Sequence, residues 1–373
     1  MLNWLRPGST IGIIGGGSVS RLLALSAKRL GYKVGIIDPD PHCLAHSVSD
    51  WHWQADMSNE QLFMDLSMKC DSIIYETENF PSRFVNLMQR AVPVPQGEEL
   101  LLASQDKMLQ KAYLESVRVN IAPFATIVSI EDIEESVKSI GFPCVLKANN
   151  TDERFKKHKV LYDEEDVPGA ADLLSQGTCV LEAWIPFDKE LCIALVKDKN
   201  GQITHFPVTE MTYRQDECYR SMVPARVNNE MEKEVERIGR VIAEGLDFVG
   251  VMAVELFATE SEALYVNEIV AHPHRAYHYT FDCFPVSQYD THIKAITGWP
   301  IDISYEVTDA IVMHSLTKPD LEEAYTLAQI KPDWQFTFYE NTVNTRTNEA
   351  GHVAIRTKDS KKTLTSLKDS FEK

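Results

Sequence analysis

The chain has no apolar run of about 18 residues, the length a helix needs to cross a bilayer, so no membrane span is expected. It has no CxxC pair. Its seven cysteines, Cys43, Cys70, Cys144, Cys179, Cys192, Cys218 and Cys283, lie mostly within or beside apolar runs. An odd count without framework spacing fits reduced, buried thiols. The stretch MLNWLRPGSTIGIIGGG carries one Arg before an apolar run that reads as a strand. It has neither the longer apolar region nor the small-residue cleavage site of a secretory leader, and a cytoplasmic location is expected. Positive charge is scarce: 37 Lys and Arg face 55 Asp and Glu, for a net charge of −18. That balance repels nucleic acid and anionic membrane. Small anionic ligands remain open, because local Lys and Arg clusters decide those.

What is present is enough apolar sequence, 44% of 373 residues, for two or three domains with proper cores. TIGIIGGGSVSRLLALSAKRLGYKVGIID (10–38) reads as strand, glycine turn, helix and strand, and CDSIIYETEN (70–79) as a strand ending in carboxylates. These pieces predict an open, parallel α/β domain. PVPQG (93–97) is a natural boundary. A helical stretch over 104–117 follows, then a second α/β pattern with FATIVS, FPCVLK and CVLEAWI as strands and helices near 130–140 and 164–175. One long helix, NNEMEKEVERIGRVIAEGL, precedes the strands GVMAVELF and EALYVNEIV. The Lys-rich tail TKDSKKTLTSLKDSFEK reads as a solvated helix, and no internal repeat is visible.

Several groups carry chemistry. The glycines at 15–17 follow a strand and open a helix, where backbone N–H groups can approach an anion. Asp38 closes the second strand where a dinucleotide fold would hold ribose, but Ser20 stands where that fingerprint needs glycine. A structural turn, another anion and a dinucleotide all remain open. Glu255 and Glu268 sit on adjacent late strands, and a buried carboxylate is costly unless it is paired or bound to a cation. Together they suit Mg²⁺, which takes hard oxygen ligands and shares them with phosphates; two edge-strand glutamates in solvent are the plainer alternative. Strand alternation puts Asn267 and Glu268 on opposite faces unless the strand is ending there. Lys147 ends a buried strand and calls for an anion. Glu182 ends another, with Glu190 eight residues on, as in a hinge that reads adenine and ribose. His272, His274 and His278 invite a transition-metal reading; His42, His46 and His52 have no ordered metal spacing and read as surface.

Taken together, the lysine-ended strand, the Glu182–Glu190 hinge and the late VEL and VNE strands resemble the ATP-grasp enzymes. GIIGGG, YETEN, PQG, LEAWIPFDKE, FPV, VPAR, VNEI, PH, HYT and a late GH occur in order. That order resembles the 5-(carboxyamino)imidazole ribonucleotide synthase family, with this chain a diverged member. The resemblance implies an α/β ATP-grasp fold with an N-terminal Rossmann-like parallel-sheet domain over 1–98. An ATP-grasp domain over 99–300 with a lid at about 120–186, and a small C-terminal domain over 301–373, would follow. It implies ATP and Mg²⁺ as cofactors, bicarbonate and aminoimidazole ribonucleotide as substrates, and a homodimer.

By the same resemblance, Lys107, Lys147 and Lys156 would contact ATP phosphates. Glu182, with the backbone of Ala183 and Trp184, would read adenine, and Glu190 would bind ribose. Glu255 and Glu268 would ligate Mg²⁺ with Asn267 beside them. Glu76 and Glu78 would face the imidazole substrate, with Lys147, Arg226, His274 and Glu78 as catalytic positions.

The departures are uneven. The family's glycine-rich loop resembling TGGYDGKGQ is NTDERFKKHK here, with Lys156 kept and Arg154 where an Asp would be. Its glutamine after the glycine turn is Ser18. Its NEIAPRPHNSGHYT is NEIVAHPHRAYHYT, placing His272, Arg275, Ala276 and Tyr277 at changed positions. A late Arg-Lys pair that takes the substrate phosphate appears here as Asn348 and Glu349, for which Arg346 and Arg275 are candidate compensators. A ligase of the same fold acting on another substrate, and a non-catalytic nucleotide-binding paralogue, are the competing readings.

Overall fold

The computed structural model describes residues 4–149, 158–214, 217–303, 307–339 and 347–372. Three sheets organise the described residues. The first is parallel and four-stranded, in the order Trp51–Trp53, Lys33–Ile37, Thr10–Ile14, Ser72–Tyr75. Ile11, Ile13, Val34, Ile36 and Ile74 of its strands are fully buried, as expected where helices cover both faces of a parallel sheet. The helix Ser18–Arg29 lays Val19, Leu22 and Leu23 into a core shared with Tyr289, Ile293 and Ile296 of the helix Gln288–Thr297. This core docks the first sheet onto the rest of the molecule.

Gln96, inside the stretch read as a boundary, adds a polar clamp. Its side chain accepts from Tyr75 N at 2.9 Å and donates to Tyr75 O at 2.9 Å and Ala271 O at 2.8 Å. With no exposed surface, those bonds form away from competing water and fix the end of one sheet against the end of another.

Among the described residues the second sheet has nine antiparallel strands, one of them, Ile203–His205, paired only with Phe187–Lys197. Phe187–Lys197 lies between Gly250–Thr259 and Thr209–Arg214, and Leu264–Val270 forms one edge. Through Glu217–Val223 the same sheet continues into Ala310–Thr317, Glu349–Thr357 and Trp334–Phe338. The C-terminal strands therefore extend the central sheet. The final helix Ser360–Phe371 differs from the solvated helix expected: Leu367 is buried, and the Phe371 ring stacks on His314 at 5.1 Å.

The third sheet is the small antiparallel one, in the order Phe124–Ile127, Cys179–Ala183, Cys144–Ala148, His158–Leu161. Its core holds Ile127, Ile133, Leu146, Leu161, Leu173 and Leu181. Helix Ile130–Ile140 starts at a capping box between Ser129 and Asp132, which satisfies two orphan N–H groups reciprocally.

The helical stretch expected over 104–117 is two helices, Gly97–Gln105 and Lys107–Ser116. Asp106 separates them because its carboxylate accepts from Met108 N and Leu109 N, both at 2.9 Å. That is an N-cap, and it restarts the helix in a new direction.

Candidate active site

The strands carrying Glu255 and Glu268 pair with a fault. Glu255 stands opposite Glu268, but the next register pair is Leu256 with Val266. Asn267 is thus an extra residue, a β-bulge, which breaks the alternation of side chains and re-aims one of them. The expectation that Asn267 and Glu268 point to opposite faces fails for that reason. Asn267 Nδ2 donates to Glu255 Oε2 at 3.3 Å, and its Oδ1 accepts from Lys147 Nζ at 3.2 Å. Glu268 is ion-paired with Lys107.

Glu255 is buried and accepts from Tyr213 Oη at 2.6 Å and from His274 Nε2 at 3.0 Å. Ala276 N donates to His274 Nδ1 at 3.1 Å, so the proton of this imidazole is on Nε2, facing Glu255. Burial alone would raise the Glu255 pKa. The hydrogen bonds from His274 and Tyr213 and the Lys107 charge outweigh it and hold the carboxyl below its usual range. For Lys107, burial is likewise outweighed, by Glu268, Glu182 and Glu78, and its pKa is raised.

Lys147 reaches from the small sheet to the large one. Besides Asn267 it contacts Glu182 Oε2 at 3.2 Å. Lys111, one helical turn beyond Lys107, meets the same oxygen at 3.1 Å. Glu182 is buried, and its other oxygen, Oε1, has no hydrogen-bond partner among the described residues. The neighbouring hinge amides are committed: Ala183 N donates to Pro123 O at 2.9 Å and Trp184 N to Pro143 O at 3.1 Å. Adenine reading by these two N–H groups would break hydrogen bonds already made, so the open acceptor Glu182 Oε1 is the better candidate. The Trp184 side chain is 39% exposed and presents an apolar face. Glu190 lies on the strand beside Glu255, and burial, then the Glu255 charge, push its carboxyl up to about 7.

A second group of residues surrounds the glycine turn. Gly15 has φ +103°, and a Cβ built there would lie 2.9 Å from Glu76 Cγ. Glycine is thus required both by the backbone and by the approach of Glu76. Glu76 Oε1 accepts from Gly17 N at 2.7 Å, yet burial, reinforced by Asp38, pushes this carboxyl up to about 8. Glu78 accepts from Ser104 Oγ at 2.7 Å and lies 3.8 Å from His272 Nε2. Arg275 Nη2 stands 3.2 Å from Glu349 Oε2, and His278 Nε2 3.8 Å from Glu349 Oε1. Burial would raise Glu349, but Arg275 and His278 prevail and bring it down to about 2.

The structure thus gathers Lys147, Glu182, Asn267, Glu255 and His274 into one hydrogen-bonded network, with the Lys107–Glu268 ion pair beside it where Glu268 stands opposite Glu255. It does not bring Arg226 into that network: its Nε donates to Glu210 Oε2 at 3.0 Å and its backbone N to the same oxygen at 3.1 Å. Lys156, Arg154 and Arg346 lie outside the described residues. The three late histidines do not converge. His274 is on Glu255, His272 is near Glu78, and His278 binds the Tyr289 hydroxyl. Among the described residues no three His, Cys, Asp or Glu side chains assemble a metal cage. His46 and His52 face each other instead, Nδ1 to Nδ1 at 3.1 Å.

Sequence reasoning missed Lys111, Tyr213 and Gln96. Lys111 had a signal, its i,i+4 spacing from Lys107 on one helix face; Tyr213 had none, because its partner Glu255 lies 42 residues away.

Comparison with known proteins agrees with this architecture. Residues 9–105 match the ribonucleotide synthetase preATP-grasp domain and residues 112–289 the ATP-grasp domain. The chain is 31% identical over 370 residues to the N5-carboxyaminoimidazole ribonucleotide synthase of Staphylococcus aureus (strain MRSA252), covering 99% of this chain and 98% of the relative. It is 35% identical over 295 residues to that of Bacillus subtilis (strain 168), covering 79% and 78%. The crystal structure of N5-carboxyaminoimidazole synthetase from Staphylococcus aureus complexed with ADP superposes with a TM-score of 0.92 at 31% identity, over 99% of this chain and 98% of that one.

Proposed function

Because the chain belongs to the N5-carboxyaminoimidazole ribonucleotide synthase family of ATP-grasp ligases, we propose that it uses ATP and bicarbonate to carboxylate the amine of 5-aminoimidazole ribonucleotide in purine biosynthesis. The observation that carries this reading is the network of Lys147, Glu182, Asn267 and Glu255 between the small and central sheets, with the Lys107–Glu268 ion pair beside it. It offers cations for a triphosphate, carboxylates for a divalent metal and an open buried acceptor for adenine.

The chemistry proceeds in two displacements. A bicarbonate oxygen attacks the γ-phosphorus of ATP, the bond to the β-phosphate oxygen breaks, and ADP leaves. The resulting carboxyphosphate has a good leaving group. The substrate amine attacks its carbonyl carbon, phosphate departs with the bonding pair, and the amine proton is lost, leaving a carbamate. Bicarbonate is a poor electrophile, so positioning and charge screening are the protein's main contributions. Lys147 and Lys107 supply fixed positive charge to the phosphates. Glu182 Oε1 accepts from the adenine amino group, and Glu190 faces the ribose. Asn267 holds Lys147 and Glu255 in one register. His274 fixes Glu255, and Glu78 stands on the imidazole side with Glu76.

Glu255 and Glu268 fit Mg²⁺ in donor chemistry: two hard oxygen ligands, with the remaining positions left to phosphates and water. A metal held by these two carboxylates would supply positive charge against that developing on the transferring phosphoryl group. Arg226 is given no direct step, because Glu210 engages it. Cytoplasmic location and a homodimer complete the reading, supported by a purine-biosynthetic reaction and by the family resemblance.

The test is ADP release by purified protein with MgATP, bicarbonate and aminoimidazole ribonucleotide, each omitted in turn, with Glu255→Ala/Glu268→Ala as control. Release that needs the ribonucleotide and disappears in the control supports the assignment. MgATP binding without release under any condition would reject it in favour of another acceptor or a binding role.

A further inference from the structure

Glu182 carries two ammonium groups on one oxygen, and the two lysines are not equivalent. Lys111 comes from inside a helix and has no exposed surface; its Nζ lies 3.1 Å from Glu182 Oε2. Lys147 comes from the end of a strand in the small sheet, its side chain is 21% exposed, and its Nζ lies 3.2 Å from the same oxygen. Among the described residues only Lys147 has a second partner outside this pair, Asn267 Oδ1 at 3.2 Å. On the function proposed above, on which this inference rests, Lys147 must deliver its charge to the nucleotide phosphates. Doing so weakens its contact with Glu182. Removing one partner of a buried ion pair is strongly unfavourable because a charge is left uncompensated. The carboxylate would then lose ionisation, or hold Lys147 back.

We propose that Lys111 is a positioning residue for nucleotide binding: it remains as the permanent counter-ion of Glu182, so that Lys147 is free to exchange from Glu182 to the phosphates of the incoming nucleotide. The unpartnered Glu182 Oε1 is kept ionised and in place throughout. Charge is conserved across the exchange. Before binding, one carboxylate faces two ammonium groups. After binding, Lys111 and Glu182 form a neutral pair, and Lys147 faces phosphate. Lys111 cannot take the phosphate role itself, since leaving Glu182 would require it to withdraw from the interior.

The exchange makes a prediction that a merely structural lysine does not. Loss of Lys111 should penalise ligands with phosphates and spare a ligand without them. Affinities for ATP and for adenosine are to be measured by titration calorimetry on wild type, Lys111→Met, Lys111→Arg and Lys111→Met/Glu182→Gln, each checked for a cooperative thermal transition. For Lys111→Met we expect ATP binding weakened roughly 10- to 100-fold, with adenosine changed less than about threefold. Lys111→Arg, which keeps the charge, should recover most of the ATP affinity. The double variant has no buried carboxylate to hold Lys147, and its ATP affinity should exceed that of Lys111→Met although its adenosine affinity falls. Equal loss of ATP and adenosine in Lys111→Met, or no loss of either, overturns the inference while leaving the ligase assignment intact. A folded wild type that binds neither ligand overturns both. If Lys111→Met does not fold, Lys111→Arg and the double variant decide the matter by the same ATP-to-adenosine ratio.

Discussion

Glu255 and Glu268 are direct register partners on neighbouring antiparallel strands, and the residue between Glu268 and the next pair, Asn267, is bulged out of the ladder. The bulge turns a strand that would otherwise alternate into one that presents two consecutive polar side chains to the same cleft. It also ties the sheets together, because Asn267 meets Glu255 on the central sheet and Lys147 on the small one. A strand irregularity thus positions both a carboxylate, Glu255, and a lysine, Lys147.

Asn267→Ala should therefore leave the fold in place and impair nucleotide use. With Lys147 and Glu255 each losing a polar partner, kcat/KM for MgATP should fall about 10- to 100-fold, on the scale of one or two hydrogen bonds to charged groups. The melting temperature should shift little, since the side chain sits in a polar cleft. Steady-state kinetics with varied ATP, beside a thermal melt, checks this; unchanged kinetics would reduce the bulge to a local irregularity.

The C-terminal helix gives a stability prediction away from that cleft. Phe371 stacks on His314, and Arg220 and Arg214 both pair with Glu372. Burial keeps His314 neutral, its pKa down to about 3, so the stack is one of two uncharged rings. Phe371→Ala should cost about 3 kcal/mol, the usual range for a buried ring replaced by alanine, seen as a lower denaturant midpoint. The KM for ATP, measured where the variant is folded, should not change.

Much of the architecture is legible in the sequence because it rests on patterns that local physics sets. The apolar runs around GIIGGG and CDSIIYE predict a parallel sheet, and the structure forms one. The strand ending in Lys147, the hinge at Glu182 and the strand of Glu255 could be placed for the same reason. What could not be read depends on contacts distant in sequence or on register. The Asn267 bulge exists only once two strands pair. Asp106 reads as part of a helical stretch until its carboxylate is seen capping the next helix. Lys111 looks like an ordinary helical lysine until the fold lays Glu182, 71 positions later in the chain, against it. The tail reads as solvated because Leu364, Leu367 and Phe371 are three apolar residues among many polar ones, and the outer strands of the central sheet give them a surface to cover.

Glu76 links the glycine turn to pH. Its carboxyl is raised from 4.5 to about 8, chiefly by burial. Between those values the folded chain holds a proton that the unfolded chain has released. Stability attributable to this group is therefore present at low pH and lost as pH rises through that window. The isosteric Glu76→Gln cannot titrate. Denaturant midpoints measured from pH 5 to pH 8 should fall more steeply with pH in wild type than in Glu76→Gln, and the variant should be the more stable at pH 8. Parallel curves would mean that Glu76 ionises near its ordinary pKa in the folded protein.

Arg275 and Glu349 form an ion pair, with Glu349 buried, on ground that the family resemblance assigns to the acceptor. The family resemblance puts a pair of cations where Asn348 and Glu349 stand, and the structure shows Glu349 buried against Arg275 at 3.2 Å. Here, then, an anion and a compensating cation stand where the resemblance implies two cations for a phosphate. A phosphorylated acceptor must compete with Glu349 for the guanidinium. Neutralising that carboxylate should favour the acceptor, and removing Arg275 should oppose it. Glu349→Gln should lower the KM for aminoimidazole ribonucleotide by roughly 10-fold, and Arg275→Ala should raise it by at least as much, the scale of a charge-assisted hydrogen bond partly screened by solvent. The KM for ATP should stay within about twofold in both, because both substitutions lie on the acceptor side. Glu349→Lys extends the test, since it puts back one of the two missing cations. If it leaves the acceptor KM unchanged while Arg275→Ala still raises it, Arg275 binds the phosphate without competition, and Glu349 acts only to hold the guanidinium in place.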